Sequence, residues 1–197
     1  MVRIGISVEG STEVRFVKML LKPYLEKKSI FITPVSMRGS ISVDRVKYEI
    51  NKLMYSFDYV STFYDFYGFK GIKEDDTKEI LEKRILNSVS KAMQDKLIPY
   101  IQMYEFEGLL FSSPADMAYI LQNEDIKNWA ENILKKFNGN PELINNSSQT
   151  APSKRLMVTH YRKVTHGPDI ALKIGLNGIR KKCSGFDEWL KKLETIK

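Results

Sequence analysis

"VRIGISVEGSTEVRF", residues 2–16, sets an apolar strand, a glycine and a helix start in immediate succession. Val2, Ile4, Ile6 and Val8 alternate with Arg3, Gly5 and Ser7, the two-residue period of a strand, and the run stops at Gly10. Ser11 and Thr12 are good helix N-caps. Phe16, Val17, Leu20, Leu21, Tyr24 and Leu25 then fall on one helical face. Pro23, inside that face, predicts a kink or an end nearby. Two carboxylates, Glu9 and Glu13, flank the glycine where the strand runs out, and strand ends are where α/β folds bind ligands.

The pattern repeats along the chain. FITPV at residues 31–35 reads as a second strand, RGSIS as a loop, and a helix is expected from about Val43 to Tyr55. YVSTFYD is a third strand ending at Asp65, with FYGFKG as its turn. Acidic KEDDTKE opens a long helix carrying Ile80, Leu81, Ile85, Val89 and Met93, its early acids complementing the helix dipole. IPYIQMYEFE, about residues 98–107, is a fourth strand. Strand–helix alternation of this kind predicts a mostly parallel sheet of about four strands flanked by helices. From Pro114 the patterns are helical, interrupted by one long loop at residues 138–153. The expected plan is an α/β core over residues 1–113, with a basic helical region, 114–197, packed on it as one compact unit.

The chain has 197 residues, 43% hydrophobic and 28% charged, an ordinary globular composition. No apolar run approaches the roughly 20 residues of a membrane span, and the first residues lack the layout of a secretory signal. Cys183 is the only cysteine, which excludes a disulfide framework and a cysteine zinc site, and it reads as a small buried apolar residue. A cytoplasmic location without membrane contact is expected. The net charge of +7 is unevenly placed: residues 1–149 balance, and the whole excess lies in residues 150–197. That asymmetry suits an anionic partner, nucleic acid first, or the solvated face of basic helices.

Glu9 and Glu13, Asp65, and Glu105 and Glu107 each fall at an expected strand end. In a parallel sheet those ends share one edge. Clustered carboxylates repel, and keeping them ionised needs a cation, for which Mg²⁺ or Mn²⁺ suits hard oxygen ligands and phosphate chemistry. Each acid taken alone also reads as a solvated residue or a helix cap. Acids that point apart, or lysine ammonium groups plugging the gap, would remove the hydrolase reading and leave only a scaffold.

The motifs VEGSTEVRF, FYDFYGF, YEFEGLLFSSP, APSKRL, YRKVTHGPDIALKIGL and IRKKCSGFDEWLKKL, in that order, resemble the Toprim-like family known as domain of unknown function 4276. Its members look like the Toprim nuclease domains of overcoming-lysogenization-defect (OLD) proteins. The resemblance covers nearly the whole chain and implies a Toprim/Rossmann-like α/β fold. It also implies a Mg²⁺- or Mn²⁺-dependent nuclease acting on DNA or RNA, and a separate ATPase as partner in a prokaryotic defence system. By that resemblance Glu9 binds metal or acts as general acid/base, Glu13 is the second glutamate of the same motif, and Asp65 holds the metal. Tyr67 departs from the pattern where a second aspartate is usual. Glu105 and Glu107 could supply the missing carboxylate if the segment is extended, whereas a helical turn between them would let only one reach the metal.

Basic residues follow. Lys154 and Arg155 stand beside an expected helix start at Ser153, where Lys154 could neutralise a scissile phosphate and, by position alone, matches the late lysine of OLD nucleases. Arg155, Arg162, Lys163, His166, Arg180, Lys181 and Lys182 are candidate nucleic-acid contacts. His166, before Gly-Pro, also suits a loop or a cap. Tyr64, Phe66 and Tyr67 could stack on bases, while Phe63 and Phe69 suit the core. No phosphate-binding GxxxxGK[ST] stretch is present. The alternative reading is a non-catalytic module that binds nucleic acid or an ATPase, and a third is chemistry on a nucleotide or small phosphoester. The sequence leaves self-association open.

Overall fold

A computed structural model of the chain describes residues 1–145 and 147–196, with Ser148 described in its backbone only; Asn146, in the expected long loop, lies outside them. The elements in order are β1 (Val2–Val8), α1 (Ser11–Phe16), a π-helical turn (Val17–Leu21), α2 (Lys22–Glu26), β2 (Ile30–Ser36), α3 (Val43–Met54) and β3 (Tyr59–Asp65). Then come α4 (Lys78–Asn87), α5 (Lys91–Gln94), β4 (Leu97–Ile98), β5 (Ile101–Gln102) and a 3₁₀ segment (Phe106–Ser112). The last part holds α6 (Pro114–Leu121), α7 (Asp125–Lys136), α8 (Pro152–Leu156), α9 (Lys163–Lys182) and α10 (Ser184–Glu194).

The sheet is parallel, in the order β2-β1-β3-β4, with β5 also pairing β3. Val8 lies opposite Phe63, so β1 and β3 end at the same edge. The alternation of β1 holds, but its small positions are buried too: a Cβ on Gly5 would strike the Phe57 ring, and Ser7 accepts from the Tyr64 hydroxyl at 2.6 Å. Ile4, Ile6, Val8 and Phe63 join one core cluster with α1, α2, α6, α7, α9 and α10. Val60 and Tyr64 join a second with α3 and α4. The helices after Pro114 therefore close one face of the sheet. Trp189 of α10 stacks on Tyr100 and Phe63 with centroids 4.6 and 5.3 Å apart, and donates to Ser61 Oγ at 2.9 Å.

Several expected elements are altered. The first helix is capped by Gly10 rather than Ser11 or Thr12, because Glu13 reaches back to the Gly10 N–H at 2.9 Å. Pro23 does fall by an irregularity and an end: it sits in the first turn of α2, directly after the π turn, and the helix stops at Glu26. The fourth strand splits at Pro99, which cannot donate to the ladder, and Thr62 Oγ1 bridges the gap by pairing with both the N–H and the C=O of Tyr100. The chain then turns helical at Phe106, so residues 98–107 are not one strand. The long helix after KEDDTKE is two, parted at Ser88–Ser90, and Asp76 pairs with Arg84 instead of serving only the dipole. Among the described residues no helix is long and apolar enough to cross a membrane.

Candidate active site

Four carboxylates meet at the carboxyl edge of the sheet, each delivered by a different backbone device. Glu9 follows β1 directly, and Gly68 makes room for it: a Cβ on Gly68 would overlap Glu9 Oε2. Glu13 sits in the first turn of α1, locked by its bond to Gly10. Asp65 ends β3, and its Oδ1 accepts from the Phe106 N–H at 2.7 Å. Glu107, in the 3₁₀ segment, is fully buried and accepts from the Tyr161 hydroxyl at 3.4 Å. Gly167 permits that last contact, because a Cβ there would lie 2.6 Å from the Tyr161 hydroxyl.

Lys163, the first residue of α9, points its ammonium into this group. Its Nζ lies 3.5 Å from Glu107, 3.6 Å from Asp65 and 3.9 Å from Glu13, while 42% of the side chain remains exposed. Burial opposes its charge, but Asp65, Glu107, Glu13 and Glu9 together outweigh that and hold its pKa above the ordinary lysine value. Burial raises the pKa of Asp65, Glu107 and Glu9, with Lys163 pulling each the other way. The Tyr161 hydroxyl is raised as well, by burial and then by Glu107. Four acids around one ammonium leave surplus negative charge.

Two oxygens bear on whether a cation fits. Glu9 Oε2 and Glu107 Oε2 are buried without a hydrogen-bond partner. Buried carboxylate oxygens are costly unless paired or coordinated, so this donor set suits a hard divalent ion, and the Lys163 ammonium stands where such a charge would sit. As the side chains stand, no group of three His, Cys, Asp or Glu among the described residues is arranged to hold a metal.

Other expected residues are dispersed. The helical turn at Phe106 separates Glu105 from Glu107: Glu105 turns to accept from the Ser153 N–H at 2.8 Å, and only Glu107 faces Lys163. The N–H expected to favour an external anion thus holds an internal one. Lys154 is exposed and lines a surface cavity with Arg155 and Lys136, away from the carboxylates. Lys163, expected as a nucleic-acid contact, has its ammonium on the acids instead. Arg162 is exposed at the start of α9, and His166 caps that start by accepting from the Arg162 N–H at 3.1 Å. Arg180 is engaged internally by Glu194, Asp187 and the Tyr24 hydroxyl, while Lys181 and Lys182 are exposed. Tyr64 is buried and cannot stack on a base, Phe66 is nearly so, and Tyr67 stacks on Tyr104 at 5.3 Å. Tyr161 and the placement of Lys163 were missed: YRK is visible in the sequence, but nothing local says that α9 begins across the sheet edge.

Residues 8–194 match the family described as a domain of unknown function, DUF4276. The chain belongs to that family. No match is found among curated proteins. The fold is similar to a solved structure, the C-terminal region of the Burkholderia pseudomallei OLD protein, with a TM-score of 0.54 and 12% identity over 98% of this chain and 97% of that one. At that identity the likeness is one of fold.

Proposed function

We propose that this DUF4276 chain is a Toprim-type hydrolase that cleaves phosphodiester bonds in DNA or RNA with Mg²⁺ or Mn²⁺. The convergence of Glu9, Glu13, Asp65 and Glu107 from separate strand ends, two of them with unpartnered buried oxygens, carries the reading. Glu9, Asp65 and Glu107 would hold the ion, which when bound would neutralise charge on the attacking and leaving oxygens. Glu13 stays anchored to Gly10 and sets the negative potential of the notch. Tyr161 keeps Glu107 oriented. The Lys163 ammonium, beside the acids, would be the cation to meet a phosphate brought to them. The OLD likeness agrees with a nuclease role, and a separate ATPase would serve as its trigger.

Purified chain with Mn²⁺ is expected to cut plasmid, single-stranded DNA or tRNA, and Asp65→Asn to abolish the cut. Intact substrates in every case, with and without an ATPase encoded beside it, would end the proposal. The second reading, a non-catalytic module, is favoured by one observation: an ammonium already occupies the notch. Calorimetry separates the two. No Mn²⁺ binding, with nucleic-acid affinity unchanged in Glu9→Ala, selects the module.

A further inference from the structure

The cavity between α7 and α8 has a volume of about 370 Å³ and is lined by Trp129, Asn132, Lys136, Lys154 and Arg155, with no acidic residue in its wall.

 Three cations and an aromatic ring therefore share one pocket of about 370 Å³. Among the described residues none of Lys136, Lys154 and Arg155 pairs with a carboxylate. Lys136 alone would be accounted for by the α7 dipole, since it lies in the last turn. Arg155 would not. Its Nε is buried without a partner, burial alone lowers its pKa, and its one aromatic neighbour is Phe137, 5.6 Å from the guanidinium. A half-buried arginine lacking a counter-ion is held ready for an anion from outside. The pocket lies off the notch but next to a segment that reaches it: Ser153, whose N–H binds Glu105 two residues before Glu107, is followed directly by Lys154 and Arg155.

We propose that this pocket binds a backbone phosphate and the adjoining base of a single-stranded nucleic acid whose chain continues from the carboxylate notch. Arg155, Lys136 and Lys154 take the phosphate. Trp129, half-buried with Phe111 5.8 Å away on one side, offers its ring to the base, which only an unpaired strand can present. The inference rests on the nucleic-acid reading of the notch but not on catalysis or on metal.

The test is therefore run in EDTA. A 5′-labelled oligonucleotide is titrated against wild type, Arg155→Ala, Lys136→Ala and, as an exposed cation elsewhere, Lys18→Ala. Binding is expected to weaken about tenfold in Arg155→Ala, with the slope of log affinity against log salt falling by about 1, and to be unchanged in Lys18→Ala. Of the two tryptophans, Trp189 is buried, so quenching of fluorescence reports Trp129. The quench should vanish in Trp129→Phe and with an abasic strand. Wild-type affinity and salt slope in both Arg155→Ala and Lys136→Ala overturn the proposal. So does inorganic phosphate or a mononucleotide competing as well as the strand. A chain that binds as described yet neither takes up Mn²⁺ nor cuts would sink the hydrolase reading and leave this one standing.

Discussion

Glu9→Gln is expected to stabilise the metal-free protein. Glu9 Oε2 is buried without a hydrogen-bond partner; burial raises its pKa most, Lys163 opposes, and Glu13 and Glu105 add to the rise. A buried polar group left unpaired costs about 1–3 kcal/mol, and a charged one more. Glutamine is neutral, and its amide can donate to the carboxylates around it, so the gain is about 1–2 kcal/mol. In a chain of this size that is roughly 2–8 °C in melting temperature. The sign with pH follows from the raised pKa. The wild-type stability is fully present below the unfolded value near 4.3 and is lost as pH rises through the folded value, so the two proteins should melt together in acid and separate toward pH 7.5. Adding Mn²⁺ at a hundred times its dissociation constant stabilises wild type by about 2.7 kcal/mol, and Glu9→Gln should forfeit most of that gain. Melting curves in EDTA and in Mn²⁺ from pH 4.5 to 7.5, followed by circular dichroism, measure both effects. If Glu9→Gln melts at or below wild type in EDTA, or keeps the whole Mn²⁺ response, Glu9 is not a charge held for a cation.

Lys163→Met removes the one cation that, among the described residues, faces Glu13, Asp65 and Glu107, and should cost about 3 kcal/mol in EDTA at pH 7.5. Because the pKa values of Asp65 and Glu107 are already raised, the loss should shrink as pH falls and those groups take up protons, as melts at pH 5 and 7.5 would show. Calorimetry should find Mn²⁺ bound by this variant at least as tightly as by wild type, since the competing ammonium is gone. Glu142 accepts from the Gly185 and Phe186 N–H groups at the start of α10, at 2.8 and 3.0 Å; Glu142→Ala should lower stability by about 3 kcal/mol, seen as a fall in the urea midpoint. Burial pushes the Cys183 thiol up to about 12, so iodoacetamide at pH 8 should label it only after unfolding, by mass spectrometry.

How much of this was legible in the sequence depended on distance along the chain. β1 and β3 could be read because their periodicity is local, and parallel strands then place Glu9 and Asp65 on one edge. The break in the fourth strand was also signalled, by Pro99, but its repair by the Thr62 hydroxyl was not: that contact spans 38 residues. Lys154 was favoured over Lys163 because it follows an expected helix start, a local argument. Position in space decided otherwise, since α9 packs against α1 and the 3₁₀ segment and brings its first residue over the acids. Arg180 looked like a free cation for the same reason, and its partners Glu194 and Tyr24 come from elements that no pattern around it predicts.

Lys163 differs from the other ion pairs of the molecule in the number of acids it serves, not in distance alone: Lys22–Glu26, Lys28–Glu194 and Lys78–Glu82 also stand 3.5–3.8 Å apart, each lysine with one acid. Arg84 meets Asp76 at 2.6 Å, Lys191 meets Asp187 at 2.7 Å and Arg15 meets Asp169 at 2.8 Å, each within hydrogen-bond range. Lys163 bonds to no acid at that distance. It stands 3.5–3.9 Å from three at once. Held midway between three acids, it satisfies a field that the carboxylates create together, and two oxygens of that field remain unpartnered even so. Burying four acids is unfavourable for folding, as the raised pKa values of Glu9, Asp65 and Glu107 record, and a scaffold gains nothing from it. That cost is the physical ground for preferring the hydrolase reading to the module.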